Sequence, residues 1–170
     1  MMKKYKYYLV TVIILVLDQL SKLYIRSQLN PGDRLYLTPK LIWITYVRNT
    51  GASFSFSLGE SNLNRIIFSI VTIIASIILV VIIQRSGKRA EMTGFSLILG
   101  GALGNLIDRL WLGGVTDFID CDFPDIFMER WPVFNLADSS IVIGVSLLVL
   151  YYLIFEKRNS KTEIRAKEKT

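Results

Sequence analysis

The chain alternates between long apolar runs and shorter polar connectors. Residues 66–83 form an unbroken stretch without charge, Gly or Pro, in which only Ser69, Thr72 and Ser76 are polar. A run of that length crosses a bilayer core as a helix. Residues 7–24, 92–112 and 132–155 come close to the same length, the last with Asp138 as its only charge. Together with residues 64–83 they predict four transmembrane helices. The connector over residues 25–63 has a different pattern. Pro31-Gly32-Asp33 marks a turn, and Leu41-Ile42-Trp43-Ile44-Thr45-Tyr46-Val47 is β-branched and aromatic, which predicts a strand. Asn49-Thr50-Gly51 closes it as a turn, and Phe54 and Phe56 follow at period two. The expected fold is a mainly α membrane protein. It has four helices and a small β-rich segment between helices 1 and 2, lying at the membrane surface.

The first run begins with Lys3, Lys4 and Lys6, as a cleavable signal peptide would. No small-x-small site follows it, and it leads into Asp18-Gln19-Leu20-Ser21-Lys22, so a retained helix is expected. Charge then sets the orientation. The N-terminus, the connector over residues 84–91 and the tail after Phe155 hold twelve of the 20 Lys and Arg, all on one side of a four-span topology. That side is expected to be the cytoplasm, with both termini there. The net charge of +6 is thereby a topology signal. No basic face with interleaved aromatics appears, so nucleic acid is not an expected partner. Residues 1–156 read as one membrane domain and 157–170 as a basic, solvated, partly disordered cytoplasmic tail. Trp43, Trp111 and Trp131 fall near span ends, an ordinary interfacial position.

Composition narrows the chemistry. There is no His, so His-dependent nucleophilic catalysis and His metal ligation are excluded. Cys121 is the single Cys, which excludes an internal disulfide and a Cys zinc cluster. It lies in an acidic stretch without an adjacent base, where a thiolate is disfavoured.

Ionisable residues inside spans are functional candidates by default. Asp18 and Lys22 stand at i and i+4 on one helical face, as a structural ion pair or part of a site. Gly100 and Gly104 form a small-xxx-small pair for close helix approach. Asn105, Asp108 and Arg109 follow at i, i+3 and i+4. Arg109 pairs with Asp108 or holds a carbonyl or carboxylate. Asp117 lies about one turn of chain past the third span. Asp138 lies about six residues into the fourth, roughly 9 Å below its end at 1.5 Å per residue. Two adjacent carboxylates do not both ionise easily, so such a pair supplies a general acid and a general base. Alternatively, Asp117 is a loop charge and Asp138 a carboxylate favoured by a helix N-terminus.

Five motifs resemble the lipoprotein signal peptidases, the bacterial signal peptidase II family of membrane aspartic proteases. They are Asp18-Gln19-x-Ser21-Lys22, Arg48-Asn49-Thr50-Gly51-Ala52-Ser53-Phe54-Ser55, and Gly100-Gly101-Ala102-Leu103-Gly104-Asn105-Leu106-Ile107-Asp108-Arg109. Val115-Thr116-Asp117-Phe118-Ile119-Asp120 and Phe134-Asn135-Leu136-Ala137-Asp138-Ser139 complete the set, in the family's order over about residues 10–155. The chain has Gly-Ala-Ser-Phe where the family often shows Gly-Ala-Ala-Phe, a small change in size. The stretch from residue 121 to 130 is poorly specified by the family pattern.

The resemblance implies that Asp117 and Asp138 are the catalytic aspartates. It implies that Asp18, Lys22, Asn49, Asn105, Asp108, Arg109 and Asn135 shape the site or hold substrate. The implied substrates are prolipoproteins whose lipobox Cys carries diacylglycerol, cut on the N-terminal side of that Cys. The implied location is the bacterial cytoplasmic membrane, with the site near the extracytoplasmic surface. No cofactor or metal is expected. Lipid-modified prolipoproteins and membrane lipids are the expected partners, and a monomer the expected state. Two readings from other classes stand beside this one. A proton-coupled carrier would use Asp18, Lys22, Asp108, Arg109 and Asp138 as a relay, and a non-catalytic assembly factor would use the sheet and the Gly-rich helix for contacts.

Overall fold

The computed structural model describes residues 4–38, 42–51, 61–121 and 131–167. The chain order is α1 (Tyr5–Gln28), β1 (Arg34–Thr38), β2 (Ile42–Asn49), α2 (Ser61–Arg85), α3 (Arg89–Leu112), β3 (Val115–Cys121) and α4 (Leu136–Lys167). All four helices are long and apolar enough to cross a membrane. Phe54, Phe56 and most of the stretch after Cys121 lie outside the described residues.

The helices coincide with the four apolar runs, with two differences. The fourth begins at Leu136, not at the expected residue 132, because Pro132, Val133 and Phe134 stay extended and Phe134 bridges antiparallel to Ile119. Asp138 is therefore the third helical residue and not the sixth. The helical backbone also continues past the apolar window ending at Phe155, through Lys167, into the segment expected to form the basic tail.

The helix α3 is the hub, packed on α1, α2 and α4. Lipid tails are as apolar as Leu, so close approach of small residues has to hold such helices together. A methyl on Gly100 would meet Ile14 Cβ at 2.9 Å and Thr11 O at 3.0 Å, and one on Gly104 would run into Asp18 Oδ2, so this pair seats α1. A methyl on Gly101 would strike the Ala137 carbonyl, and one on Gly94 would meet Leu148 at 2.7 Å, so this second row seats α4. The helix ends at Gly113, which takes the left-handed conformation (φ +75°) and donates its N–H to the Arg109 carbonyl.

The strands form one antiparallel sheet in the order β1-β2-β3. The strand expected around residues 41–47 is β2. The sheet gains a third member, β3, from a segment whose sequence reads as an acidic connector. Its burial explains the difference: Val115, Thr116, Asp117, Phe118, Asp120 and Cys121 are all buried, so the strand lacks the polar-out alternation of a surface strand. A bulge sits in β2. Ile44 pairs with Ile119 and Val47 with Asp117, so Thr45 and Tyr46 together face Phe118. After the bulge Asn49 pairs with Val115, which makes it the diagonal neighbour of Asp117 on one face.

Candidate active site

Where β3 meets the first turn of α4, a cavity of about 490 Å³ opens at the sheet end of the bundle. Its polar wall is Asn49, Asn105, Arg109, Asp117 and Asp138, and Phe134, Ile141, Val142 and Ile143 line its apolar side. The structure brings the two aspartates together here from separate elements. Asp117 is contributed by the strand and Asp138 by the helix.

Asn135 joins them. It precedes the first residue of α4 and acts as its N-cap. Its Oδ1 accepts the N–H of Asp138 at 2.9 Å, while Asp138 Oδ2 accepts the Asn135 N–H at 3.3 Å. This is a reciprocal capping box with Asn and Asp in the two roles. The Asn135 Nδ2 is left to donate, and it reaches Asp117 Oδ1 at 2.7 Å. Asn49 Nδ2 donates to the other oxygen of Asp117 at 3.0 Å. Asn105 Nδ2 donates to Asp138 Oδ1 at 2.8 Å.

The orientation of each amide follows from a group that can only donate. Gly51 N–H binds Asn49 Oδ1 at 2.9 Å, Asp138 N–H binds Asn135 Oδ1, and the Lys22 ammonium binds Asn105 Oδ1 at 2.9 Å. All three NH2 groups are thereby turned toward the aspartates. Each of the four carboxylate oxygens receives one N–H.

A second polar layer lies behind the first. Lys22, fully buried, meets Asp18 Oδ2 at 2.8 Å and Asp108 Oδ2 at 3.7 Å. Asp18 Oδ1 accepts the N–H of Ala137 at 2.9 Å, in the first turn of α4. Asp108 accepts the N–H of Thr116 at 2.8 Å, which fixes the start of β3 next to Asp117. Buried charges are tolerable only when paired and hydrogen-bonded, and these are. Asp108 does not pair with Arg109. Consecutive helical residues point about 100° apart, so Asp108 faces Lys22 and Arg26 while Arg109 faces the cavity. Arg109 stacks 5.9 Å from the Phe68 ring centroid of α2. Among the described residues its Nε lacks a hydrogen-bond partner and the guanidinium forms no salt bridge.

Two supporting side chains are not among the expected site residues, although Gln19 stands in the first of the five motifs. Gln19 Nε2 donates to the Gly104 carbonyl at 3.0 Å and approaches both Asp18 and Asp108. Arg26 lies 3.5 Å from Asp108 and donates to Thr116 Oγ1 at 3.0 Å. A signal for Arg26 does exist, since Asp18, Lys22 and Arg26 recur every four residues on one face. Arg26 falls beyond the span end that hydropathy suggests, which hides it.

Burial pushes the Asp117 carboxyl up to about 7, and the negative charge of Asp138 adds to the effect, against the amides of Asn49 and Asn135. A carboxyl in that range holds or releases a proton near neutrality, as a general acid must. Cys121 also touches the cavity. Burial and then Asp120 push its thiol up, which disfavours the thiolate.

Fold and site define a multi-pass membrane protein with a paired-carboxylate cavity at one end of its bundle. The signal peptidase (SPase) II family model matches residues 10–154. The lipoprotein signal peptidase of Pseudomonas aeruginosa strain UCBPP-PA14 is 42% identical over 145 residues, 83% of each chain. That of Halothermothrix orenii is 38% identical over 151 residues, 88% of this chain and 97% of the relative. That of Staphylococcus carnosus is 41% identical over 154 residues, 89% and 92% of the two chains. A bacterial membrane enzyme solved by the in meso method at 2.3 Å superposes with a TM-score of 0.78 at 36% identity, covering 87% of each chain. A second, at 1.9 Å, gives 0.76 at 36% identity, covering 87% of this chain and 92% of the other. The chain belongs to the signal peptidase II family of membrane proteases.

Proposed function

We propose that this protease removes signal peptides from diacylglyceryl-modified prolipoproteins, cutting on the N-terminal side of the lipid-bearing Cys. Asp117 and Asp138 act as the dyad. One takes a proton from water as its oxygen attacks the scissile carbonyl, while the other donates a proton to the carbonyl oxygen. The observation that carries the reading is that both carboxylates share one cavity and that three asparagine amides are fixed with their NH2 groups toward them. Arg109, the guanidinium lining the same cavity, orients substrate carbonyls, and the apolar side keeps the acyl chains in lipid. The names of the relatives support the substrate class. The excess of Lys and Arg on the opposite side of the bundle supports an active site at the extracytoplasmic surface of the bacterial cytoplasmic membrane, with both termini inside.

The carrier reading is not favoured. Asp18, Lys22, Asp108 and Asp138 gather at the sheet end, and α2 is free of charge from Ile66 to Ile83. The test is cleavage of a diacylglyceryl-modified prolipoprotein by purified protein in detergent, with unlipidated precursor as control. Cleavage of only the lipidated form, abolished by Asp117→Asn and by Asp138→Asn, is expected. Activity that survives either change would exclude the dyad.

A further inference from the structure

We infer that Lys22 is a positioning residue: it fixes which way Asn105 faces, and thereby makes Asp138 the base and Asp117 the acid of the dyad. The inference rests on the dyad reading above. Of the three amides that face the carboxylates, two are oriented by backbone N–H groups and only Asn105 by a side chain. Lys22 has donors and no acceptor. The Asn105 oxygen must therefore face Lys22, and its NH2 must face Asp138 Oδ1. Asn135 Nδ2 also reaches the Asn105 oxygen, at 3.2 Å, but it shares that donor with Asp117 at 2.7 Å, so Lys22 is the closer and stronger hold. Without the ammonium only the longer contact resists turning the Asn105 oxygen toward the carboxylate.

Three features favour negative charge on Asp138: the polarised Asn105 amide, the N–H of Asn135, and its place in the first turn of α4 at the positive end of the helix dipole. Asp117 lies within a strand, beside the N-cap Asn135 but outside the first turn of α4, and has the proton to give. The charged groups around the pair are Asp18, Lys22 and Arg26 from α1, Asp108 and Arg109 from α3, Asp117 from β3 and Asp138 from α4.

The steps then balance. Water oxygen bonds to the scissile carbonyl carbon, Asp138 takes the water proton, and Asp117 protonates the carbonyl oxygen. As the C–N bond breaks, Asp138 passes its proton to the leaving nitrogen and Asp117 takes one back from the hydroxyl. The products are a peptide carboxyl and the amine of the lipid-bearing Cys.

The decisive variant is Asn105→Ala, which leaves Lys22 its contacts with Asp18 and Asp108. Its pH–rate profile is recorded on the lipidated precursor. The acid limb of kcat reports the base and the alkaline limb the acid. Loss of one charge-assisted hydrogen bond is expected to move the acid limb up by about one pH unit. The alkaline limb stays in place and KM changes by less than about twofold, as for an interaction that does not bind ground-state substrate. A moved alkaline limb with a fixed acid limb would reverse the roles, and two fixed limbs would leave Asn105 purely structural. Either overturns the proposal.

Asp18→Asn/Lys22→Met removes one charge of each sign and should move the same limb the same way. Adding Asn105→Ala should move it no further, because one interaction cannot be lost twice. A further additive movement would mean that Lys22 does not act through Asn105. If that paired variant does not fold, Lys22→Gln is read against the same limbs, and wild-type limbs there would overturn the role of Lys22. Asp117→Asn and Asp138→Asn run alongside. Residual cleavage in either refutes the dyad itself, an outcome distinct from an unmoved limb.

Discussion

Asn135 donates its side-chain amide to Asp117 at 2.7 Å while its side-chain oxygen caps the helix that carries Asp138. One residue thus builds the local structure of α4 and sets the distance from that helix to β3. The two roles separate by substitution. Asn135→Ser keeps a capping oxygen but cannot reach Asp117, so stability should stay within about 0.5 kcal/mol of wild type. Cleavage should nonetheless fall at least tenfold. Asn135→Ala should lose the activity and also about 1 kcal/mol of stability. Thermal unfolding in detergent and a cleavage assay on the same samples check both.

The rows of glycine on α3 predict a difference between neighbours. Gly101→Ala places a methyl against the Ala137 carbonyl, backbone that cannot move without shifting the first turn of α4 and Asp138 with it. Overpacking of this kind costs about 1–3 kcal/mol. Activity should fall more than stability alone explains. At Gly87 a methyl meets nothing within 4 Å, so Gly87→Ala serves as a neutral control.

The carboxyl of Asp117 gives stability a pH dependence of stated sign. Its value of about 7 in the folded protein lies above the 3.8 of an ordinary Asp. The folded state therefore binds the extra proton between those values. This contribution is fully present below about pH 4 and is lost as pH rises to about 7. Asp117→Asn removes the loss. The variant should gain on wild type by up to about 4 kcal/mol between pH 4 and pH 8, since each tenfold difference in proton affinity is worth about 1.4 kcal/mol. Unfolding midpoints over that range measure it, and a flat difference would contradict the raised value.

The bulge in β2 predicts the effect of a deletion. Removing Tyr46 would let Thr45 alone face Phe118 and make the pairing regular, with Asn49 still opposite Val115 on the face of Asp117. What is lost is the local bend and added twist that the bulge gives the strand. The expected outcome is a folded protein with cleavage reduced by about tenfold or less, checked by assay and by thermal unfolding.

The helices are legible because a bilayer permits few solutions: an apolar run near 20 residues long is a span whatever its neighbours. The strand β2 announces itself through Ile42, Trp43, Ile44, Thr45 and Val47. The strand β3 does not, because Asp117, Asp120 and the flanking Asp122 read as solvated loop. Only the tertiary setting buries the first two. Spacing likewise suggests that Asp108 pairs with Arg109. The choice between that partner and Lys22 depends on where α1 packs, and Gly100 and Gly104 set this. The pairing of Asp117 with Asp138 comes from the family resemblance. Spacing alone leaves a loop charge and a helix-end carboxylate as the simpler reading.

The contact between Asp18 and the Ala137 N–H has a consequence for biogenesis. It joins residues 119 positions apart in the chain. As α1 enters the membrane, Asp18 and Lys22 have only each other, since their partners on α3 and α4 have yet to be synthesised. The pair at i and i+4 makes that interval tolerable by offsetting one charge with the other. Completion of the fourth span is what ends it, so a truncated or stalled chain keeps an incompletely satisfied charge in lipid. The residues that hold the finished site together are thus the ones left exposed to lipid when synthesis stops early.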